Sequence, residues 1–356
     1  MKIVHITSAP AAGGAEIYVK DLSIGMAKKG HHVTILFISH AEEIQRSVDF
    51  EENYLRELRE NDINYLFIGN SCKKNVFKGV FVTTRIINKL KPDVIHSHLY
   101  YGAIFSLLSV SGKKIYTHHN IKLKASKYIY KILDLGGCSY IGICQACTDL
   151  LKKCTKKDVI KINNGVDTRR LFIKENYSKR EIVNVLMAGR LTEQKNYKLI
   201  LKAISGLQDK SFHLYIAGEG EERDELEKYS MQLGISGIVT FLGNRKDVNQ
   251  LMYDADVFAM CSSWEGLPIS LIEATLTGLP LIVTDVGGCR EIVESVGNGI
   301  IVKNLEINEY REALNRIITS YRLRHEFHNN AVRYGEMYTI DFTVNSHIDV
   351  YTKIIK

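Results

Sequence analysis

Proline is scarce, with four in 356 residues. No low-complexity stretch or internal repeat accompanies it. That excludes a disordered, linker-rich chain and a solenoid. No segment reaches the roughly 18 apolar residues that a membrane-spanning helix needs. The longest candidate, Tyr100 to Val110, is short and contains Gly102. The opening MKIVHITSAP is not a signal peptide, because its apolar run alternates and stops at once. The expected location is therefore the cytoplasm. Cysteine is neither absent nor framework-like: Cys72, Cys138, Cys144, Cys147, Cys154, Cys261 and Cys289 are seven, an odd number in a long chain. Cys144 and Cys147 form a C-x-x-C, but a zinc site needs a second pair at matching spacing, and the chain has none. Free thiols are expected.

What is present fits a soluble globular protein: 45% hydrophobic and 24% charged residues. The length exceeds what one hydrophobic core usually holds, so two domains are expected. Charge divides along the same line. Residues 1–165 carry 24 Lys and Arg against 14 Asp and Glu, a net +10, whereas residues 166–356 carry 23 against 26, a net −3. The first half is built to meet something anionic.

Periodicity predicts two βαβ series. In the first, strands are predicted at Lys2–Ala9, His32–Ser39, Asn64–Ile68, Asp93–His98, Lys114–His118, Ser139–Cys144 and Val159–Ile162. Helices fall between them, among them Ala15–Lys29, Phe77–Leu90 and Gly102–Val110. The turn Asn163-Asn164-Gly165 leads into the second series. Its strands are predicted at Val183–Ala188, Phe212–Ala217, Val239–Leu242, Val257–Met260 and Leu281–Thr284. A helical tail runs from about Glu306. The fold class is α/β, with domains 1–165 and 166–340, each a doubly wound parallel sheet. Ligands of such sheets bind beyond the carboxyl ends of the strands, so the loops there carry the chemistry.

The most informative loop runs from Cys261 to Asp285. Pro268 suits a first helical position, where its missing N–H is harmless, and Gly266 permits close backbone approach. A helix starting at a strand end aims free N–H groups at an anion such as a diphosphate. Glu265 lies in the loop, and Glu273 follows inside an otherwise apolar helix. A carboxylate there needs partners. The two vicinal hydroxyls of a ribose would serve, and so would a salt bridge within the domain. Upstream, Gly189-Arg190 follows a strand and Lys195 precedes a helix. Two cations on one loop make a metal-free clamp for a diphosphate, or else plain surface charge. No DxD stands in a suitable strand-end loop.

The stretch Glu265-Gly266-Leu267-Pro268-Ile269-Ser-Leu-Ile-Glu273-Ala resembles the E-x7-E motif of retaining glycosyltransferases of the GT-B fold, family four. The likeness continues at Ala188-Gly189-Arg190-Leu-Thr-Glu-Gln-Lys195-Asn196, which matches the family's G-R…K-[GN], and at Asn164-Gly165-Val166-Asp167. It implies two Rossmann-like domains facing a cleft, with a final helix, 341–356, crossing back to the first domain. It implies that Glu273 binds the nucleotide ribose, that Glu265 contacts the donor sugar, that the amides from Gly266 to Ile269 hold sugar and diphosphate, and that Arg190 and Lys195 bind the diphosphate. Gly13-Gly14 is similar to the family's N-terminal glycine loop, near donor phosphate and acceptor. Thr117-His118-His119-Asn120 resembles T-x-H-[DN], which makes His119 the active-site histidine. His98 and His118 stand beside it as cleft-lining or packed residues.

The resemblance implies a nucleotide-sugar donor, UDP-linked in most look-alikes, and a glycan or lipid-linked acceptor in cell-surface polysaccharide synthesis. It implies no cofactor and no metal. The alternatives are an epimerase or hydrolase of the same fold and a non-catalytic nucleotide-sugar-binding protein. Six lysines and no acid between Lys113 and Lys131, interleaved with Tyr and Ile, read as a solvated face or as a dock for an anionic membrane surface or lipid diphosphate. No nucleic-acid motif accompanies them.

Overall fold

The structure, a computed structural model, describes residues 1–123, 126–209 and 211–356. It divides into two compact units. One is Met1–Gly165 joined by Ile340–Lys356, and the other is Val166–Thr339.

The first unit holds seven strands: β1 (Lys2–Thr7), β2 (His32–Phe37), β3 (Asn64–Phe67), β4 (Val94–Ser97), β5 (Lys113–His118), β6 (Ser139–Gly142) and β7 (Val159–Lys161). They form one parallel sheet in the order β3-β2-β1-β4-β5-β6-β7. The order reverses between β1 and β4, the switch point at which ligands of such sheets are bound. Runs such as Ile3-Val4 and Val94-Ile95 are buried, as expected of strands covered on both faces. Val4, Ile6, Leu36, Ile95 and Phe105 make one core, and Tyr116, Tyr130, Leu133 and Tyr140 another.

The helix Gly14–Lys28 follows β1, and the terminal helix Ile340–Ile355 lies against it. Gly25 permits this crossing, since a Cβ there would press on Val344 Cγ2 at 2.6 Å. Thr343 Oγ1 donates to the Asn163 carbonyl at 3.0 Å. The chain therefore ends on the unit in which it began.

The second unit has six strands: β8 (Val183–Ala188), β9 (Phe212–Ala217), β10 (Val239–Gly243), β11 (Val257–Met260), β12 (Leu281–Thr284) and β13 (Gly299–Val302). Their order, β10-β9-β8-β11-β12-β13, repeats the winding of the first sheet, with its switch between β8 and β11. Strand β13 is absent from the periodicity reading. Its four residues, Gly-Ile-Ile-Val, carry no alternation, and pairing with β12 makes them a strand. The helix Val48–Glu60 is likewise not among the predicted elements, although Ser47 caps it and Tyr54 and Leu58 stand four apart on its buried face. The helix expected over Gly102–Val110 is instead Tyr100–Phe105.

Candidate active site

In the second unit, four strand-end loops meet backbone to backbone because glycine lets them. A Cβ on Gly218 would overlap the Gly189 carbonyl oxygen, and one on Gly287 would overlap that of Glu265. Gly287 also has φ +50°, a region that side chains disfavour. Gly288 N donates to the Gly266 carbonyl at 2.6 Å. The β12 loop thus buttresses the β11 loop.

On this platform Lys195 Nζ lies 2.7 Å from Glu265 Oε1, and Ser262 Oγ donates to the same oxygen at 2.8 Å. Both side chains are largely enclosed, 18% and 8% exposed, so solvent screens the pair far less than it would a surface pair. Gln194 Nε2 donates to the Trp264 carbonyl at 2.9 Å, and Ser263 N to the Gln194 carbonyl at 2.8 Å. Asn196 takes a left-handed φ of 49° ahead of the helix Tyr197–Ser205. These contacts lock the Lys195 loop onto the Glu265 loop. Arg190 differs: it is exposed, and among the described residues it makes no hydrogen bond or ion pair. The two cations are not equivalent halves of a clamp. One is held and one is loose.

The helix Ile269–Thr277 starts without a side-chain cap. Its first amides are therefore available to an anion. Pro268 sits one position earlier than expected, as the flanking residue, with φ −72° and ψ 123°. It has no N–H to offer, and Leu267 is buried, so both shape the loop, while the amides come from Gly266, Ile269 and Ser270. The helix ends at Gly278, φ +93°. Glu273 is partly exposed and faces Arg170, with Nη2 3.9 Å from Oε1. Arg170 carried no sequence signal for this role. It lies just past the domain junction, far from Glu273 in the chain.

In the first unit, Gly13 is the extended residue ahead of the helix Gly14–Lys28, which has no side-chain cap. The carboxylate of Glu16 folds onto Gly13, so that a Cβ there would collide with it. A carboxylate at a helix start occupies the place an anionic ligand would take.

The histidines form a connected interior group. His5 and His96 are register partners on β1 and β4. His5 Nδ1 and His98 Nε2 are 3.0 Å apart, and His98 Nδ1 and His119 Nε2 3.1 Å. His96 bonds Tyr351 OH through Nδ1 at 2.5 Å and Thr117 Oγ1 through Nε2 at 2.6 Å. His347 Nδ1 donates to the Thr343 carbonyl at 2.9 Å, so its Nε2 accepts from Tyr18 OH at 3.3 Å. Burial pushes the rings down in pKa: His5 and His119 to about 3, His347 to about 4, and His96 and His98 well below the ordinary value. Repulsion between imidazolium rings, which opposes protonating two together, adds to this for all but His347. The group is neutral at pH 7.

Two assignments change here. His98 does not line an open surface: it is buried and both its nitrogens are taken by His5 and His119. His118 is buried on the other face of β5, its Nδ1 2.8 Å from Tyr116 OH. The period of two along a strand separates the doubled histidines, and only His119 shares the face of His98, with Tyr18 edge-on at 5.5 Å between ring centroids. His5, Tyr18 and His347 had no motif to announce them. Among the described residues, His5, His96 and His98 are the one group whose ligand atoms lie close enough, within 4.8 Å, to share a metal ion. None of the seven cysteines is in a disulfide.

Two doubly wound parallel sheets in one chain, the second carrying a G-R…K loop and a Glu-x7-Glu element at its switch point, define a glycosyltransferase of the GT-B class. Family models match in tandem. Glycosyltransferase Family 4 covers residues 12–170, and Glycosyl transferases group 1 covers residues 169–334. The chain belongs to this family. It is similar to the UDP-Gal:alpha-D-GlcNAc-diphosphoundecaprenol alpha-1,3-galactosyltransferase of Escherichia coli, 26% identical over 75% of this chain and 78% of the relative. The N,N'-diacetylbacillosaminyl-diphospho-undecaprenol alpha-1,3-N-acetylgalactosaminyltransferase of Campylobacter jejuni is 23% identical over 96% of this chain and 97% of its own. Among solved structures, Anabaena HepE in complex with UDP superposes with a TM-score of 0.81 at 19% identity, covering 99% of this chain and 100% of that one.

Proposed function

We propose that this glycosyltransferase moves a hexose or N-acetylhexosamine from a UDP-sugar to a lipid-linked diphosphate glycan, with retention of the anomeric configuration and without a divalent metal. The observation that carries the reading is the enclosed Lys195–Glu265 pair beside the uncapped helix Ile269–Thr277. An ammonium held by one carboxylate keeps two N–H groups for a diphosphate. Uncapped amides add a fixed positive end. Preorganised donors of this kind stabilise a departing diphosphate best, since nothing need reorganise as charge develops.

In the transfer, the bond from the anomeric carbon to the diphosphate oxygen breaks, and the acceptor oxygen bonds that carbon on the same face. The acceptor's proton passes to the departing diphosphate. Glu265 is committed to Lys195 and Ser262, so its role is to position the ammonium and contact the donor sugar rather than to attack. Glu273 receives the ribose hydroxyls. Arg190 closes on the diphosphate from solvent, and Gly13 and Gly14 offer amides once Glu16 has moved. His119 donates a hydrogen bond to a sugar or acceptor oxygen. Support for UDP and for a lipid diphosphate comes from the names of the E. coli and C. jejuni enzymes and from the UDP complex of HepE.

The first unit supplies the acceptor side and a membrane dock. Lys113, Lys122, Lys127 and Lys131 are exposed; Lys124, also in this run, lies outside the described residues. On the helix Lys127–Leu135, Tyr128, Ile132 and Leu135 are exposed at 63%, 54% and 90%. An amphipathic basic helix with outward apolar side chains suits an anionic bilayer surface. No helix among the described residues is long and apolar enough to cross a membrane.

The test is release of UDP from UDP-sugars, with and without a polyprenyl-diphosphate-linked sugar, in the presence of EDTA. Acceptor-dependent release with an α-linked product is expected. Equal release without acceptor would mean a hydrolase. Abolition by EDTA with rescue by Mg²⁺ would place a metal on the diphosphate.

A further inference from the structure

His119 ends a line of three imidazoles, and its two outermost nitrogens are distinctive. His5 Nε2 and His119 Nδ1 are both buried and have no hydrogen-bond partner. The two internal links, His5 to His98 and His98 to His119, each need one N–H and one lone pair. Burial keeps all three rings neutral, so each carries a single proton. Only two arrangements then satisfy both links. In one, every proton sits on Nε2, and His5 holds an N–H there with nothing to receive it. In the other, every proton sits on Nδ1: His5 donates to His98, His98 donates to His119, and His119 presents its own Nδ1–H.

The two ends decide between them. His5 is fully enclosed within β1. His119 lies just beyond the end of β5 and is only partly buried as a residue. An orphan N–H is the less tolerable defect and an orphan lone pair the milder one. Both end nitrogens are covered, but only His119 is a partly exposed residue, so the lone pair belongs at the closed end and the N–H at the end nearest the surface, where a bound ligand can meet it. We propose that His5 and His98 are positioning residues that fix His119 as its Nδ1–H tautomer, so that this atom is a hydrogen-bond donor to a hydroxyl or ring oxygen of the bound sugar or acceptor. The proposal rests on the placement of His119 in the transfer site. It adds a reason for two histidines that touch no ligand, and it turns a neutral, ambivalent ring into a donor of one polarity.

The experiment is a long-range ¹H–¹⁵N correlation spectrum of the full chain labelled with [¹⁵N]histidine, with His119 assigned from a His119→Gln variant. His5, His98 and His119 are expected as neutral Nδ1–H tautomers at pH 7. In His98→Phe, which removes the donor to His119, the His119 signals should move to the Nε2–H or mixed form. In His98→Asn, whose amide nitrogen stands close to where Nδ1 stood, the Nδ1–H form should return. Turnover should follow the tautomer, falling about 10-fold to 100-fold in His98→Phe, the scale seen when a partner orienting a site imidazole is lost. In His98→Asn it should recover to within a few-fold, with donor KM little changed in both. An Nε2–H signal for His119 in the unaltered protein overturns the proposal even if no variant folds. So does stoichiometric Zn²⁺ uptake that shifts His5, His96 and His98 together, because it would make the group a metal site. The spectrum needs no sugar transfer, so an inactive protein with an Nδ1–H His119 would count against the proposed function and leave the tautomer assignment standing.

Discussion

The same strand order serves two different polar designs. In the first unit, His5, His98 and His119 are hydrogen-bonded in line, and the adjoining His96 and His347 bond to Tyr351, Thr117 and Tyr18, with no charged side chain among these partners. In the second, the switch point holds an ion pair, Lys195–Glu265, with an unpaired guanidinium at Arg190 and a carboxylate at Glu273. A neutral imidazole network can be buried deep, because desolvation opposes only its protonation. A charged set must stay near the end of the sheet, where its partner charge arrives with the ligand. The net charges run the other way: the unit with the imidazole network carries the basic excess.

The largest expected effect sharpens that contrast by acid. The folded pKa values of His5, His119 and His347 lie near 3, 3 and 4, against 6.5 for an exposed ring. Below 6.5 the unfolded chain binds protons that the folded chain refuses. This stability is therefore complete above pH 6.5 and is lost as pH falls toward 4. Each ring loses about 2 kcal/mol between pH 6.5 and 5. One ring's share is already a sizeable part of the typical margin of about 5–15 kcal/mol for a domain. Hydrogen exchange at pH 5 should show the first unit opening before the second. Equal protection in both units would refute the neutral cluster.

Next in size is the ion pair. Lys195→Ala should lower turnover by about 10²–10³, the usual loss for one preorganised donor. Because Glu265 would be left enclosed without its cation, Lys195→Ala with Glu265→Gln should be less damaging than the product of the single changes. Strict additivity would mean that the two side chains act apart. Arg190→Lys should also impair transfer, since an ammonium lacks the planar fork.

Glu273→Ala is expected to weaken UDP binding by about 1.5–3 kcal/mol, the range for a charged hydrogen bond. Calorimetry with UDP reads it directly. If affinity holds and only the melting temperature falls, Glu273 serves Arg170 and not the ribose.

The smallest effect is at the surface. Each exposed lysine near an anionic bilayer contributes about 1 kcal/mol and fades within a Debye length. Co-sedimentation with anionic vesicles should be visible at low salt and vanish at high salt, and Leu135→Ser should weaken it without changing the salt dependence. Salt-independent binding would shift the weight from the lysines to the apolar residues.

The alternation and spacing of the chain alone determined twelve of the thirteen strands, the winding they imply, and the loops at Gly189–Lys195 and Glu265–Glu273. These are local properties: a strand's period, a glycine at a turn, a proline near a helix start. The sequence also announced the histidines at 98, 118 and 119, but not their division. That needed the pleat of β5, which turns His118 toward Tyr116 and His119 toward His98. His5 and His347 stand at opposite ends of the chain, and no spacing rule connects them. They meet because the terminal helix returns to cover the face of β1. In the second unit, Arg170 reaches Glu273 and Gly287 supports Glu265 through the packing of loops that are likewise remote in sequence. Which charges are held, which are free and where a single proton rests are matters of distance between remote segments, and only the packed chain sets those distances.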